Sequence, residues 1–178
     1  MLLIPIGLIF IMFYINISIG SYTVDILPDA VGYILIAMNM VKLKKYSYSF
    51  SGAQGLSIFL AVYSLYLRVT LPTGLLGVGL SLLELAAQLY LLRLLVNGVK
   101  DLESSIKTHL NSFILDRWRQ GVEISWVASY ICVIGNLFIS GIEFFGFLVA
   151  IVWAILCMLF IIVFFRTARR YRLLLHFE

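Results

Sequence analysis

The chain has 178 residues, of which 62% are hydrophobic and only 12% are charged, and its formal net charge is +4. A soluble domain carries about a quarter of charged residues to cover its surface, so this composition excludes an ordinary soluble protein and favours helices in lipid. The basic residues stand at the ends of apolar runs, where they meet anionic headgroups. The sequence therefore predicts membrane lipids as partners and no nucleic acid.

Six apolar segments, taken in chain order, predict six transmembrane helices. About 20 apolar residues are needed to cross the hydrocarbon core, and backbone groups in lipid must be satisfied within the segment, which favours helices over strands. The second segment is the shortest, and both a full crossing and a re-entrant helix remain open for it. The result is an all-α polytopic bundle that forms one membrane domain over 1–178. Its spans lie at about 1–19, 28–43, 56–71, 75–96, 124–142 and 144–165.

The basic residues test this arrangement of six spans. If the N-terminus lies inside, the inner segments are 42–55, 93–123 and 166–178, and they hold every lysine and arginine except Arg68. Cytoplasmic loops carry an excess of these residues. The pattern therefore predicts a multi-pass protein of the cell membrane with both termini in the cytoplasm, whereas five spans would put one basic cluster outside.

The segment 97–120 differs from the spans because apolar and charged residues alternate in it at helical spacing. It is predicted to be an amphipathic helix on the cytoplasmic face, either a simple interfacial connector or a docking surface for a protein partner. The basic tail 166–178 is predicted to contact anionic lipid headgroups. The apolar stripe of the amphipathic segment comprises Val99, Leu102, Ile106, Leu110 and Phe113.

One carboxylic acid lies deep in a predicted span. Glu84 stands about ten residues into the fourth span, and a charge at that depth calls for a partner, a water-filled cavity or a proton site. Arg68, near the outer end of the third span, has a side chain long enough to reach it. We expect the two to pair directly or through water. The alternatives are that the pair only fixes helix register, or that Glu84 is protonated and donates a hydrogen bond.

Other polar side chains are expected at the same outer depth. Together with the charged pair they predict a polar pocket that opens outward and binds a ligand. The alternative is that the acids are solvated loop residues. The candidate ligand-binding residues are Asp25, Asp29, Tyr33, Arg68, Glu84, Gln88 and Asn136.

A signature runs through the same region. Ile15 to Gly20 reads INISIG, and Asp25 to Ile36 reads DILPDAVGYILI. This stretch resembles an INxxxG…DxLPDxxGYxLI signature of small bacterial polytopic membrane proteins, which implies a bacterial origin and no particular activity. Pro28 suits the first turn of a helix, and Asp25 or Asp29 suits its positive end. The motif is therefore either a capped helix start or a pair of carboxylates that holds a cation or polar ligand at the membrane mouth.

Motifs of membrane enzymes are missing from the sequence. There is no H-E-x-x-H, no G-x-S-x-G and no Walker A loop, so an enzyme is not favoured, and no cofactor or metal is predicted. The preferred function is a small-solute binding or translocation component. In size, span number and inside termini the chain resembles the substrate-binding membrane subunits of energy-coupling-factor vitamin transporters, although Pro5 to Ile9 stands where that family has an A-x-x-x-A face. The alternatives are a structural or regulatory subunit that docks a cytoplasmic partner, and a lipid-modifying enzyme.

Overall fold

The structure is a computed structural model, and it describes residues 1–13, 16–19, 22–25, 29–70, 74–107, 109–135 and 143–175. Within these residues the chain forms six helices and one two-stranded antiparallel hairpin, so the predominantly helical fold is as predicted. The elements in chain order are α1 (Leu3–Met12), β1 (Asn16–Ile19), β2 (Tyr22–Asp25), α2 (Asp29–Leu43), α3 (Tyr48–Thr70), α4 (Gly74–Ile106), α5 (Ser112–Gly135) and α6 (Glu143–Leu175).

The helices alternate in direction, so their ends gather at two opposite ends of the bundle, which we label inner and outer after the predicted orientation. At the inner end, the start of α1 lines a common cavity with Lys42 of α2 and Arg172 of α6. At the outer end, the start of α4 shares a cavity with the last turn of α5, and Asp29 of α2 pairs with Arg68 of α3. The start of the chain and the basic tail therefore lie at the same end.

The predicted first span, 1–19, is wrong in its outer part. Only Leu3–Met12 is helical, and Asn16–Ile19 is a strand that pairs with Tyr22–Asp25 in the register Asn16 to Asp25. The uncharged run suggested one long helix. However, its last residues alternate polar with β-branched side chains at a period of two, which favours a strand.

Helices α1 and α2 approach each other very closely. A Cβ atom added to Gly7 would lie 2.5 Å from the carbonyl oxygen of Gly32, and one added to Gly32 would lie 2.6 Å from that of Gly7. Because both residues lack a side chain, the two backbones touch, as in the small-residue contacts of membrane helices. Tyr33 and Ile36 are fully buried beside this contact, so the glycine pair lies within the core.

The predicted amphipathic helix 97–120 is not a separate element. Helix α4 continues without a break to Ile106, the chain turns through two residues with positive φ (Lys107 at 53° and Asn111 at 62°), and α5 begins at Ser112. The backbone N–H of Ser112 donates to a Glu103 carboxylate oxygen at 2.9 Å, which satisfies one free donor of the new helix.

The apolar stripe of that segment faces the protein rather than a membrane surface or a partner. Val99, Leu102 and Leu110 are fully buried, and the hydroxyl of Thr167 in α6 donates to the carbonyl of Leu110 at 3.2 Å. Periodicity alone does not distinguish these uses, because a core and an interface both need one apolar face. The stripe is therefore part of the inner core, and only Phe113, at its end, is exposed.

Three helices within the described residues are long and apolar enough to cross a membrane, whereas the sequence predicted six. They are Tyr48–Thr70, Leu76–Ile106 and Phe144–Leu173. Helices α1 and α2 have 10 and 15 residues, which is short for a crossing, and the first half of α5 carries several charges. Large apolar side chains on α3, α4 and α6 are exposed, and such a surface suits lipid.

Candidate functional site

A buried tyrosine on α2 meets an amide on α4. The side-chain nitrogen Nε2 of Gln88 donates to the hydroxyl oxygen of Tyr33 at 2.7 Å, and Tyr33 is fully buried. A phenol in an apolar interior needs a hydrogen-bond partner, so this bond fixes the facing sides of the two helices. Both residues were predicted pocket residues, and the structure brings them into direct contact.

A charged pair lies nearer the outer surface. The guanidinium nitrogen Nη2 of Arg68, in the last turn of α3, lies 3.9 Å from a carboxylate oxygen of Asp29, in the first turn of α2. Asp29 also lies at the positive end of its helix dipole, where a carboxylate is stabilised. The pair joins two helices at the outer end, and both side chains remain partly accessible.

Glu84 lies between this pair and the buried bond. Its carboxyl group is half-buried on α4 and interacts electrostatically with Arg68 and with Tyr33, Tyr63 and Tyr130. The expected direct or water-mediated pairing of Glu84 with Arg68 stays a prediction. We call Asp29, Tyr33, Arg68, Glu84 and Gln88 the outer polar cluster.

An open cavity lies near the outer polar cluster, although none of the five cluster residues lines it. It has a volume of about 540 Å³ and separates the first turns of α4 from the end of α5. Ser81 lines it one turn before Glu84, and Tyr130 lines it from α5 while interacting with Glu84. The cavity is mostly apolar with a few polar groups, which is the usual composition of a small-ligand pocket.

Two of the seven predicted site residues are not assigned to this cluster. Asp25 is in β2 opposite Asn16, but the structure describes only its backbone, and Asn136 lies outside the described residues. Two residues near the cluster were missed, Tyr63 and Tyr130. Tyr63 donates to the carbonyl of Leu80 at 3.1 Å, and neither tyrosine stands out in the sequence because aromatic residues are frequent throughout the chain.

A second charged cluster, which the sequence analysis missed, joins α4 and α5 at the inner end. Arg93 donates to Glu123 at 3.2 Å, and Arg119 contacts the same carboxylate. Arg119 also donates to Asp116 at 2.9 Å, and Lys100 donates to Asp116 at 2.8 Å. We call these five residues, Arg93, Lys100, Asp116, Arg119 and Glu123, the inner ionic network. Its α5 members are three or four residues apart, so they share one helix face.

The basic residues of this network favour the ionised form of Asp116. Burial opposes its ionisation, but hydrogen bonds from Lys100 and Arg119 outweigh burial and hold the pKa of this carboxyl below its usual value. Glu123 is only 8% exposed and lies between two arginines. The network therefore supplies each buried acid with basic partners, which is what a stable buried charge requires.

Comparison with other proteins adds nothing to these two clusters, because no family model, curated protein or solved structure matches the chain. Function therefore has to be argued from geometry. The outer polar cluster offers two carboxylates, a guanidinium, an amide and a phenol beside a cavity. Among the residues that the structure describes, no group of three or more His, Cys, Asp or Glu side chains is placed to hold a metal ion.

Proposed function

We propose that the chain is a multi-pass protein of the cell membrane that binds a small polar solute from the outer side, as a binding or translocation component. The observation that carries this proposal is the cavity of about 540 Å³ beside the outer polar cluster. Charged and hydrogen-bonding side chains inside a membrane are costly and usually mark a ligand or ion path.

The orientation rests on charge. Every lysine and arginine except Arg68 belongs to the inner segments that the sequence analysis defined. With the inner end in the cytoplasm this distribution agrees with the positive-inside bias. Both termini then lie in the cytoplasm, and the cavity opens outward.

The remaining helices insert beside the three long ones. Helices α1 and α2 form a shortened pair held by the contact of Gly7 with Gly32, and α5 enters with its apolar half, 124–135, while its charged half stays at the inner side. The β-hairpin caps the pair at the outer side, because strands with unpaired edges are not stable in lipid. Cysteine accessibility at Ser18 and Lys44 in intact cells tests this arrangement: a membrane-impermeant reagent should label position 18 and not position 44.

The chemistry of the cluster indicates the kind of solute. Asp29 and Glu84 bring two carboxyl groups against the single guanidinium of Arg68. The surrounding hydroxyl and amide groups of Tyr33, Tyr130 and Gln88 donate and accept hydrogen bonds. This set suits a solute that carries a positive charge or several hydroxyl groups.

A matched pair of substitutions on α4 tests the proposal. Ser81 lines the cavity, whereas a Cβ at Gly79 would meet no atom within 4 Å. Ser81→Leu should therefore fill the cavity, and Gly79→Leu should add the same side chain outside it. The full-length protein, released gently from its own membrane, is examined by native mass spectrometry and by thermal stability with a panel of amines, amino acids and polyols.

The expected result is a bound solute, or stabilisation by one member of the panel, in the wild type and in Gly79→Leu but not in Ser81→Leu. Equal binding by both variants would place the solute elsewhere and contradict the proposal. The proposal also fails if the wild type carries no bound solute and no member of the panel stabilises it at millimolar concentration.

A further inference from the structure

The inner end carries two adjoining cavities beside the end of α6. The first, of about 310 Å³, lies between the start of the chain, α2 and α6, and is lined by Asn39, Lys42 and Arg172 among others. The second, of about 430 Å³, lies along α6 and is lined by Leu2, Ile162, Phe165, Arg166, Arg169 and Arg172. Leu2 and Arg172 line both cavities, so the two form one groove.

The walls of this groove carry basic side chains without acidic partners. Arg166, Arg169 and Arg172 are three residues apart and exposed, and Lys42 of α2 lines the first cavity together with Arg172. Among the residues that the structure describes, no Asp or Glu lines either cavity, and none of these four side chains makes an ion pair. Like charges at this spacing on a helix repel one another, and an anion bound in the groove would relieve that repulsion.

The basic residues of the inner ionic network provide a contrast within the same protein. Arg93, Lys100 and Arg119 each meet a carboxylate of this chain within about hydrogen-bond distance. The arginines of α6 are instead exposed and line a cavity. Guanidinium groups bind phosphate oxygens with two parallel hydrogen bonds, so the chemistry of the groove matches a phosphate group.

We infer that this groove binds the phosphate headgroup of an anionic phospholipid, with an acyl chain along α6. The apolar residues Leu2, Ile162 and Phe165 line the same cavity as the arginines, so polar and apolar walls meet there as they do in an amphiphile. Helix α6 is the most apolar of the three long helices, with a mean hydropathy of 3.2 over its best window. Its outward side chains continue from Ile162 along the helix, which gives the chain a lipid-facing path.

This inference goes beyond a general attraction of a basic tail to the membrane. A general attraction depends on the number of charges and not on their positions, whereas a built groove depends on the arginines that line it. Arg170 provides the comparison, because it is exposed on the same helix and lines neither cavity. The groove lies at the opposite end from the outer polar cluster, so its test is independent of the proposed function.

The experiment uses the full-length protein in nanodiscs of phosphatidylcholine that contain a minor fraction of phosphatidylglycerol, with retained lipid counted by native mass spectrometry. Arg169→Gln and Arg170→Gln remove the same charge from neighbouring exposed positions. Losing a charge-assisted phosphate contact should lower retention of phosphatidylglycerol by about tenfold in Arg169→Gln, and by less than about twofold in Arg170→Gln. An equal loss in both variants would show that only the overall positive charge of the helix attracts the lipid, and it would overturn the inference.

A competition arm separates a lipid from a soluble anion. Inorganic phosphate at millimolar concentration should leave bound phosphatidylglycerol in place, and a six-carbon-chain phosphatidylglycerol should bind more than about tenfold more weakly than the long-chain lipid, because each buried methylene adds to the affinity. If inorganic phosphate displaces phosphatidylglycerol and the affinity does not depend on chain length, the groove binds a soluble anion. That result would overturn the assignment to a lipid.

Discussion

The outer polar cluster and the inner ionic network both join charged side chains of neighbouring helices, but they do so at different distances. In the inner ionic network, Asp116 accepts hydrogen bonds at 2.8 Å and 2.9 Å, and Glu123 is shared by two arginines. In the outer polar cluster, the nearest atoms of Arg68 and Asp29 are 3.9 Å apart. The outer region also adjoins a cavity of about 540 Å³.

This difference separates two uses of charge. Charges that are satisfied by neighbours at short distance hold the inner halves of α4 and α5 together and leave little capacity for a ligand. In the outer region, Ser81 and Tyr130 line open space, where their hydroxyl groups can bond a molecule that enters. We therefore expect substitutions in the inner ionic network to lower stability, and substitutions in the outer polar cluster to lower solute binding.

The largest effect is expected for Glu123→Ala. Removing one partner of a buried ion pair leaves the other charge without compensation, at a cost of about 3 kcal/mol in the free energy of unfolding. Glu123 is nearly buried, and the side chain of Arg119 beside it is 12% exposed. Unfolding in detergent, followed by circular dichroism, measures the loss. Arg117→Ala, on the exposed side of α5, is the control. An equal effect of the two variants would contradict the conclusion that Glu123 is a buried charge that its partners stabilise.

The next effect depends on pH. Because the folded-state pKa of Asp116 is lowered, its contribution to stability is fully present above the ordinary carboxyl pKa of about 4. That contribution is lost as the pH falls through the lowered pKa of the folded state. Thermal melts between pH 6 and pH 3 should show a steeper fall in Tm for the wild type than for Asp116→Asn. Parallel curves would show that the bonds from Lys100 and Arg119 do not stabilise the ionised form.

A smaller effect is expected for Lys100→Ala. The side chain of Lys100 is 42% exposed, so its bond to Asp116 is screened by water. Exposed ion pairs contribute about 0.5 kcal/mol. The free energy of unfolding should fall by about that amount, and the difference from the wild type should shrink in high salt, which screens exposed charges. A loss as large as that of Glu123→Ala would mean that the network acts as one unit and not as a buried centre with an exposed rim.

The smallest effect on stability, and the largest on binding, is expected for Glu84→Gln. The amide keeps the size of the side chain and removes its charge beside Arg68. We expect the free energy of unfolding to change by less than about 0.5 kcal/mol, as for substitutions away from packed features, while solute retention is lost. Gln88→Glu, which adds charge at the bond to Tyr33, serves as the comparison. A large loss of stability with unchanged retention would break the distinction between the two regions.

The sequence predicted the outer polar cluster better than the inner ionic network. Depth along each helix puts Tyr33, Gln88, Arg68 and Asp29 in one candidate pocket, because short turns make neighbouring helices antiparallel. It pairs Arg68 with Glu84, however, and does not single out the contacts of Tyr33 with Gln88 or of Arg68 with Asp29. Glu123 and Arg93 are 30 residues apart across a turn. Arg93 enters the sequence analysis only as a basic residue of an inner segment, and Glu123 has no predicted role.

Two other features could not be predicted from hydrophobicity alone. The apolar stripe from Val99 to Leu110 has the same period whether it faces a core or an interface, and the structure places it in the core. The run from Asn16 to Ile19 is uncharged like a span, yet its alternation forms a strand. Hydrophobicity reports how favourable burial is, and it does not report which neighbour provides the burial.

The unbroken course of α4 has a mechanical consequence. A helix of 33 residues is a rod about 50 Å long, and this rod carries Ser81 at the cavity and Lys100 at the ion pairs. The ring of Phe50 touches it at Gly98, where an added Cβ would lie 2.4 Å from a ring carbon. Tyr63 donates to the carbonyl of Leu80 and Gln88 donates to Tyr33, so the rod is also held near the cavity. A shift at either end of this rod is therefore transmitted to the other.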